Sequence, residues 1–280
     1  MKKLALAFST LALLAASGAA QAATMAADKD IPRQLSFGGS CHGCDLSNKR
    51  LVNARFTSGD FGGVNLTRAD LRGAVFIGSN FQGASLKDAD LRGAEIMGTN
   101  FSYSNFSGAE LDGVEGSGAI FQKANFSRAS LTGAELPGAN FSHADISRAD
   151  FRKAEMPAAQ LIRVNADKAN FRGAELNGAT MIASRFSDVD FRGADLSGAQ
   201  LNQSNFSGAD FRGADLDGAN LGGADLSRAR NLTQSQIGDA CSDPETRLPG
   251  GLTPRLCKGR RILVIRTPPT PPAPPKPPRR

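Results

Sequence analysis

From Cys44 to Arg228 the apolar residues recur every five positions, a period that belongs to neither helix nor strand. The chain reads Ala-Asp-Leu-Arg-Gly, Ala-Asn-Phe-Ser-Arg, Ala-Glu-Leu-Asn-Gly and onward through Ala224-Asp225-Leu226-Ser227-Arg228, about 37 pentads in an unbroken run. The third position is Leu, Phe, Ile or Met except at Gly116 and Ala166, and the first is Ala, Ser, Thr, Gly, Val or Cys except at Lys49. An amphipathic helix or an alternating strand in this register would push one of the two apolar positions into water. A coil with flat sides keeps both inside. Each side is then one pentad, with its large central residue toward the axis, its small first residue at the tight inner corner, and the other three facing water.

Phenylalanine placement sets the number of sides. Sorted by twenty, the central positions give one column of Phe61, Phe81, Phe101, Phe121 and Phe141, and another of Phe151, Phe171, Phe191 and Phe211. Phe106 pairs with Phe126, and Phe186 with Phe206. Four pentads per turn is the simplest solution, and it holds the filled volume per coil nearly constant, as close packing requires. The column ending at Phe141 gives way ten residues later to the one starting at Phe151, on the opposite side. The pattern predicts an all-β, parallel β-helix of about nine coils, roughly 45 Å long at the strand spacing of about 4.8 Å. Gly116 and Ala166 leave under-filled positions, where a local distortion or a compensating side chain is expected.

These pentads resemble the pentapeptide-repeat family, whose motif is commonly written Ala-(Asp/Asn)-Leu-X-X. The resemblance covers about 185 residues. It implies a right-handed quadrilateral β-helix, but it says little about function, because a fold does not fix a role.

The ends of the rod break the register. Stacked coils expose open edges that invite pairing with other chains, so capping segments are expected at 24–43 and 231–261, flanking a solenoid at 44–230. Asn231-Leu232-Thr233-Gln234-Ser235-Gln236-Ile237 reads as a helix start leading into a loop between Cys241 and Cys257. This segment, with Arg247 to Leu252, is similar to the C-terminal ends of some family members. Residues 262–280 hold Ile262-Leu263-Val264-Ile265 and then a basic proline run, which predicts an extended polyproline II tail.

Residues 1–23 carry Lys2 and Lys3, an apolar run from Leu4 to Ala16, and Ala20-Gln21-Ala22, the layout of a secretory signal peptide. The run is too short to span a bilayer. The expectation is an exported protein, periplasmic or secreted, with no transmembrane segment. Four cysteines in an oxidising compartment suggest two disulfides with three possible connectivities. Cys41 with Cys44 and Cys241 with Cys257 is the preferred pairing, since the rod would hold the two pairs tens of ångströms apart. Structural bonding is favoured there over metal or redox chemistry.

The net charge of +6 is uneven. Without Lys2 and Lys3 it divides into about −3 over residues 44 to 228 and about +7 beyond them. Little in the chain suggests catalysis. Of the two histidines, His42 and His143, the second sits at an outward position beside Ser142, with no converging partners. No phosphate loop, zinc-binding helix or calcium nonapeptide is present, so no cofactor is expected. One surface feature stands out, a ladder of Glu95, Glu115, Glu135, Glu155, Glu175, Asp195 and Asp215. Arg92, Arg152, Arg172, Arg192 and Arg212 precede most of these acids by three residues, which predicts mutual neutralisation. The arginine column is interrupted by Asp112 and Thr132, so a cation-binding stripe would centre on Asp112, Glu115 and Glu135.

These features predict a non-enzymatic interaction or scaffold protein whose faces meet an unknown protein or an envelope surface, with no nucleic acid expected. The alternative is a DNA-mimic inhibitor of a topoisomerase-type partner, of the kind seen in family members that block DNA gyrase. The export signal and the balanced charge of the body disfavour it.

Overall fold

The structure, a computed structural model, describes residues 40–257 and the backbone of Ser36–Phe37. The expected signal segment at 1–23, the tail at 262–280 and most of the segment at 24–43 lie outside the described residues.

In a typical pentad every backbone N–H has an acceptor, as buried chain requires. In the pentad Ala89-Asp90-Leu91-Arg92-Gly93, three N–H groups reach neighbouring coils. Leu91 donates to Glu110 O at 2.7 Å, Gly93 to Asp112 O at 3.0 Å and Asp90 to Ala69 O at 3.0 Å. The first residue donates within the coil, closing a tight turn, as Ala89 does to Leu86 O at 3.1 Å. The fourth N–H, that of Arg92, is taken by the Asp90 carboxylate at 3.2 Å. Asparagine does the same at Asn65, Asn80, Asn105 and Asn125. The preference for Asp or Asn before the central residue is therefore a turn preference, of the kind in which a short carbonyl-bearing side chain caps its own backbone. The turn also needs a left-handed backbone at the fifth position, which glycine adopts freely, as at Gly93 (φ 64°).

Parallel bridges join residues twenty apart, from Asp45↔Asn65 to Asp210↔Arg230. Together with the family assignment below, this defines a right-handed β-helical solenoid with four sides per turn. We number the sides by their central residues. Face 1 runs from Leu46 to Leu226, face 2 from Leu51 to Phe211, face 3 from Phe56 to Leu216 and face 4 from Phe61 to Leu221. Faces 1 and 3 are opposite, as are 2 and 4.

From Phe61 to Leu226 the central and first positions are buried. Phenylalanines stack coil on coil, with ring centroids 4.8 Å apart for Phe121 and Phe141 and for Phe151 and Phe171. The handover between columns is a direct contact, Phe141 edge-on to Phe151 at 5.9 Å. Phe56 and Phe76 form a further stack at 4.9 Å on face 3. At Gly116 the compensating side chains are visible. An added Cβ would lie 2.7 Å from Leu136 Cδ2 and 2.8 Å from Ile96 Cγ1, so the neighbours above and below fill the gap. No distortion accompanies it, since Gly116 N still reaches Glu135 O at 2.7 Å. The ladder is equally regular at Ala166, whose N–H donates to Arg185 O at 2.8 Å.

Not every position outside the core faces water. Ser102, Ser142 and Asn202, at fourth positions, are buried. Where the first position is Ser or Thr, the hydroxyl staples two coils. Ser79 donates to Phe56 O at 2.7 Å, Ser104 to Phe81 O at 2.8 Å and Ser204 to Met181 O at 2.6 Å. Among the described residues no buried side-chain polar atom lacks a partner.

At one end, strand β1 (Ser36–Phe37) pairs in parallel with β2 (Arg55–Phe56). Cys41 is bonded to Cys44. At the other end, helix α1 (Gln234–Asp239) starts at a Thr233 capping box. Its Gln236 amide donates to Phe211 O at 2.9 Å and Ala214 O at 2.7 Å, carbonyls of the last coils. Cys241 is bonded to Cys257. Asp243 secures the junction by accepting from Gly223 N at 2.8 Å and from the N–H groups of Glu245 and Thr246. Burial pulls its pKa up, but these donors outweigh burial and hold the carboxyl below its ordinary value. No helix among the described residues is long and apolar enough to cross a membrane.

Candidate functional site

The described residues hold no catalytic constellation. His143 sits exposed at a corner, in the left-handed conformation (φ 64°). The neighbouring Ser142 N–H is bound by Asn140 in the ordinary turn. The Cα-to-Cα distances of 5.5 Å for Cys41 and Cys44 and 4.8 Å for Cys241 and Cys257 are those of structural disulfides. An open depression of about 540 Å³ near the C-terminal junction is lined by Gly223, Asp225, Pro244, Glu245 and Arg247, and Arg247 and Asp225 face each other at 3.5 Å.

Candidate chemistry therefore lies on the faces, and each has its own character. On face 2 most of the aspartates are paired with arginine. Arg72, Arg92, Arg152 and Arg192 each grip the Asp two residues earlier, at 2.5 to 2.7 Å. These guanidiniums hold the Asp70, Asp90 and Asp190 carboxyls below their ordinary pKa.

That geometry corrects the expected neutralisation of the acidic ladder. Arg92, Arg152 and Arg192 fold back onto face 2 and form no ion pair with the ladder on face 3. The cause is distance along the pentad, since the aspartate two residues back lies on the same flat side and the glutamate three residues on lies beyond a corner. Asp112 is also spoken for, because it accepts from Thr132 N at 2.9 Å and from the Ser130 hydroxyl. Asp112, Glu115 and Glu135 accordingly do not converge, and among the described residues no group of three or more His, Cys, Asp or Glu could hold a metal ion.

Face 3 is acidic and unpaired. Its pentads from Ala94 to Gly218 contain no Lys or Arg. Glu95, Glu115, Glu135, Glu155 and Glu175 each stand where Asp or Asn would close the turn, and none does so. The extra methylene carries the carboxylate past its own backbone. At Pro137 and Pro157, two residues after Glu135 and Glu155, the chain has no N–H to be bound. Apart from Lys153 and Ala158, the corners beside this face are glycines, and a Cβ at Gly98, Gly118, Gly138 or Gly178 would meet nothing within 4 Å.

Face 1 is the reverse. Its floor consists of residues bound in their own turns, such as Asn125 to Ser127 N and Asp145 to Ser147 N. Its corners carry long cations in the left-handed conformation, including Lys123 (φ 59°), Arg163 (φ 56°), Arg128 (φ 63°), Arg148 (φ 59°) and Lys168 (φ 61°). For a residue with a Cβ this backbone costs about 1–2 kcal/mol. Face 4 is uncharged between Phe81 and Gln122. Along its corner Tyr103 lies under Lys123, with the ammonium 4.9 Å from the ring centroid.

A right-handed four-sided coil, built from one short motif and furnished only on its outside, defines a β-solenoid repeat protein. The model of pentapeptide repeats matches eight copies across residues 40–73, 60–93, 94–133, 124–157, 158–193 and 194–230. The chain belongs to the pentapeptide-repeat family.

Among solved structures, it is similar to HetL, a pentapeptide-repeat protein involved in heterocyst differentiation regulation from the cyanobacterium Nostoc. The identity is 29%, over 72% of this chain and 92% of HetL, with a TM-score of 0.50. It also aligns with QnrB1, a plasmid-mediated fluoroquinolone resistance protein, at 24% identity over 66% of this chain and 91% of that one, TM-score 0.35. A third relative is a pentapeptide-repeat protein of the Arabidopsis thaliana thylakoid lumen. It is 28% identical over 40% of this chain and 65% of its own, with a TM-score of 0.24. No curated protein matches the chain.

Proposed function

We propose that this protein is an exported, non-enzymatic scaffold of the periplasm or cell exterior. In this reading it is a rod of about nine coils, closed at one end by the Cys41–Cys44 segment and at the other by α1 and the Cys241–Cys257 loop, and it holds a partner against its faces. The observation that carries the reading is the segregation of chemistry by face. Asp–Arg pairs occupy face 2, free carboxylates face 3 and free cations the corners of face 1, on a scaffold whose coils are joined by a regular backbone ladder. Residues that served only stability would have no reason to sort in this way. The disulfides suit an oxidising compartment, and pentapeptide-repeat proteins mostly act by interaction. DNA mimicry is the weaker reading, because a duplex is anionic all round and this rod sets a line of free acids on face 3 against cations on the corners of face 1.

Photo-crosslinking in the cell envelope tests the proposal. A photoreactive residue is placed at Ser147, Thr132, Ser117 or Gln122, one on each face. Discrete adducts confined to one or two faces are expected. Equal, diffuse labelling from all four would sink the reading, as would recovery of the protein from the cytoplasm with its N-terminal segment intact.

A further inference from the structure

The opposite faces 1 and 3 fit each other. Between Lys123 and Lys168, face 1 is a shallow trough with cationic walls, formed by Lys123 and Arg163 on the corner shared with face 4 and by Arg128, Arg148 and Lys168 on the corner shared with face 2. Among the described residues the side chains of Arg128, Arg148, Arg163 and Lys168 form no ion pair or hydrogen bond, whereas Arg72, Arg92, Arg152 and Arg192 on face 2 are bound at 2.5 to 2.7 Å. Two acids lie on the floor of the trough, and both are occupied. Asp145 holds Ser147 N and the Asn165 amide, and Asp167 is paired with Arg185 at 2.9 Å.

Face 3 is the counterpart in both charge and relief. A line of glutamates, exposed from Glu115 to Glu175, runs down its middle, between shoulders that are glycine except at Lys153 and Ala158 and that let another surface come close. The two faces also share a pitch. Parallel bridges twenty residues apart set the rise on both, so acids on one rod and cations on another stay in step for as many coils as they overlap.

We propose that face 3 of one molecule seats in the face 1 trough of a second copy. Because ridge and trough lie on opposite sides of the same rod, the contact is heterologous and does not close, so copies add side by side into an open array. The attraction is between exposed charges, and it therefore weakens as salt shortens the screening length. The inference rests on reading the faces as contact surfaces, but its test uses purified protein alone, so failure to find an envelope partner does not bear on it.

The test is sedimentation velocity on the mature chain over a concentration series at low and high salt. The wild type should grow with concentration at low salt and return to single molecules at high salt. Reversing the trough with Arg128→Glu, Arg148→Glu and Lys168→Glu should lower the association constant at least tenfold, and reversing the ridge with Glu115→Lys, Glu135→Lys and Glu155→Lys should do the same. Mixing the two variants should restore association. Circular dichroism melts identify any variant that does not fold, and for the ridge the neutral set Glu115→Gln, Glu135→Gln and Glu155→Gln then takes its place.

A wild type that stays monomeric throughout would overturn the proposal, as would variants that associate like the wild type or a mixture that fails to recover. A monomeric wild type retained on immobilised heparin through the trough residues would assign face 1 to a linear polyanion instead.

Discussion

Faces 2 and 3 each carry a line of acids at the same point of the pentad, one residue before the core, yet the two lines do different work. On face 2 the acid is mostly Asp, short enough to bind the backbone N–H two residues on, and an arginine at that residue clamps it from outside. On face 3 it is mostly Glu, which is one methylene longer and bound to nothing. The difference shows that a single CH₂ decides whether a carboxylate belongs to the scaffold or is left free for a partner.

The core below should be indifferent to that distinction. Replacing Phe191 under face 2 with Ala removes a ring stacked on Phe171 at 5.5 Å and on Phe211 at 5.4 Å. We expect a loss of about 3–5 kcal/mol in denaturant or thermal unfolding. A Phe191→Ala protein as stable as Ser197→Ala would contradict the register itself. Under face 3, Gly116→Leu restores the usual central residue, yet it should destabilise by about 1–3 kcal/mol, because Ile96 and Leu136 already occupy the space. A gain in stability would mean that the gap is real.

The acids themselves offer a sharper comparison. Glu175→Asn gives face 3 a side chain able to bind the N–H of Asn177, and it should stabilise by roughly 0.5–1.5 kcal/mol. Glu135→Asn should gain nothing of the kind, since Pro137 has no N–H to offer. Equal melting shifts for the two would refute the turn account. The smallest effect concerns pH. Asp90 and Asp190 are held below the ordinary carboxyl pKa, so their contribution is fully present above the unfolded value and is lost as pH falls through the lowered folded one. The stability difference between wild type and an Asp90→Asn, Asp190→Asn variant should therefore shrink only in strong acid, below about pH 4. A difference that shrinks between neutral pH and pH 5 would point to other groups.

Much of the fold was legible because its signal is redundant. Phe61 to Phe141 and Phe151 to Phe211 mark the columns, and their offset of ten residues already places the handover that the Phe141–Phe151 contact completes. Gly116 could be read as a gap, and its filling by Ile96 and Leu136 followed from the same column. The charge partners were not legible. Whether Arg92 turns to Asp90 or Glu95 depends on which side of a corner each lies, and spacing along the chain does not carry that information. Nor did the sequence distinguish Ser79 or Ser104 from the alanines that share their position, because a hydroxyl and a methyl fill the same small space. The signal for the free glutamates was present as Glu135-Leu136-Pro137 and Glu155-Met156-Pro157, where proline forgoes the bond that Glu cannot make.

The twenty-residue bridge register has an evolutionary corollary. A duplication or deletion of twenty residues lengthens or shortens the rod and leaves each face where it was. A slip of five residues leaves the core filled as well, because each pentad brings its own apolar centre, but it rotates everything downstream by a quarter turn. An insertion of one pentad after Gly118 would move Glu135, Glu155 and Glu175 onto face 4 and break the acid line at that coil, with little penalty in stability. Selection on such a chain acts on the phase of its insertions more than on their size, so new binding surfaces can arise by rotation, without a single point mutation.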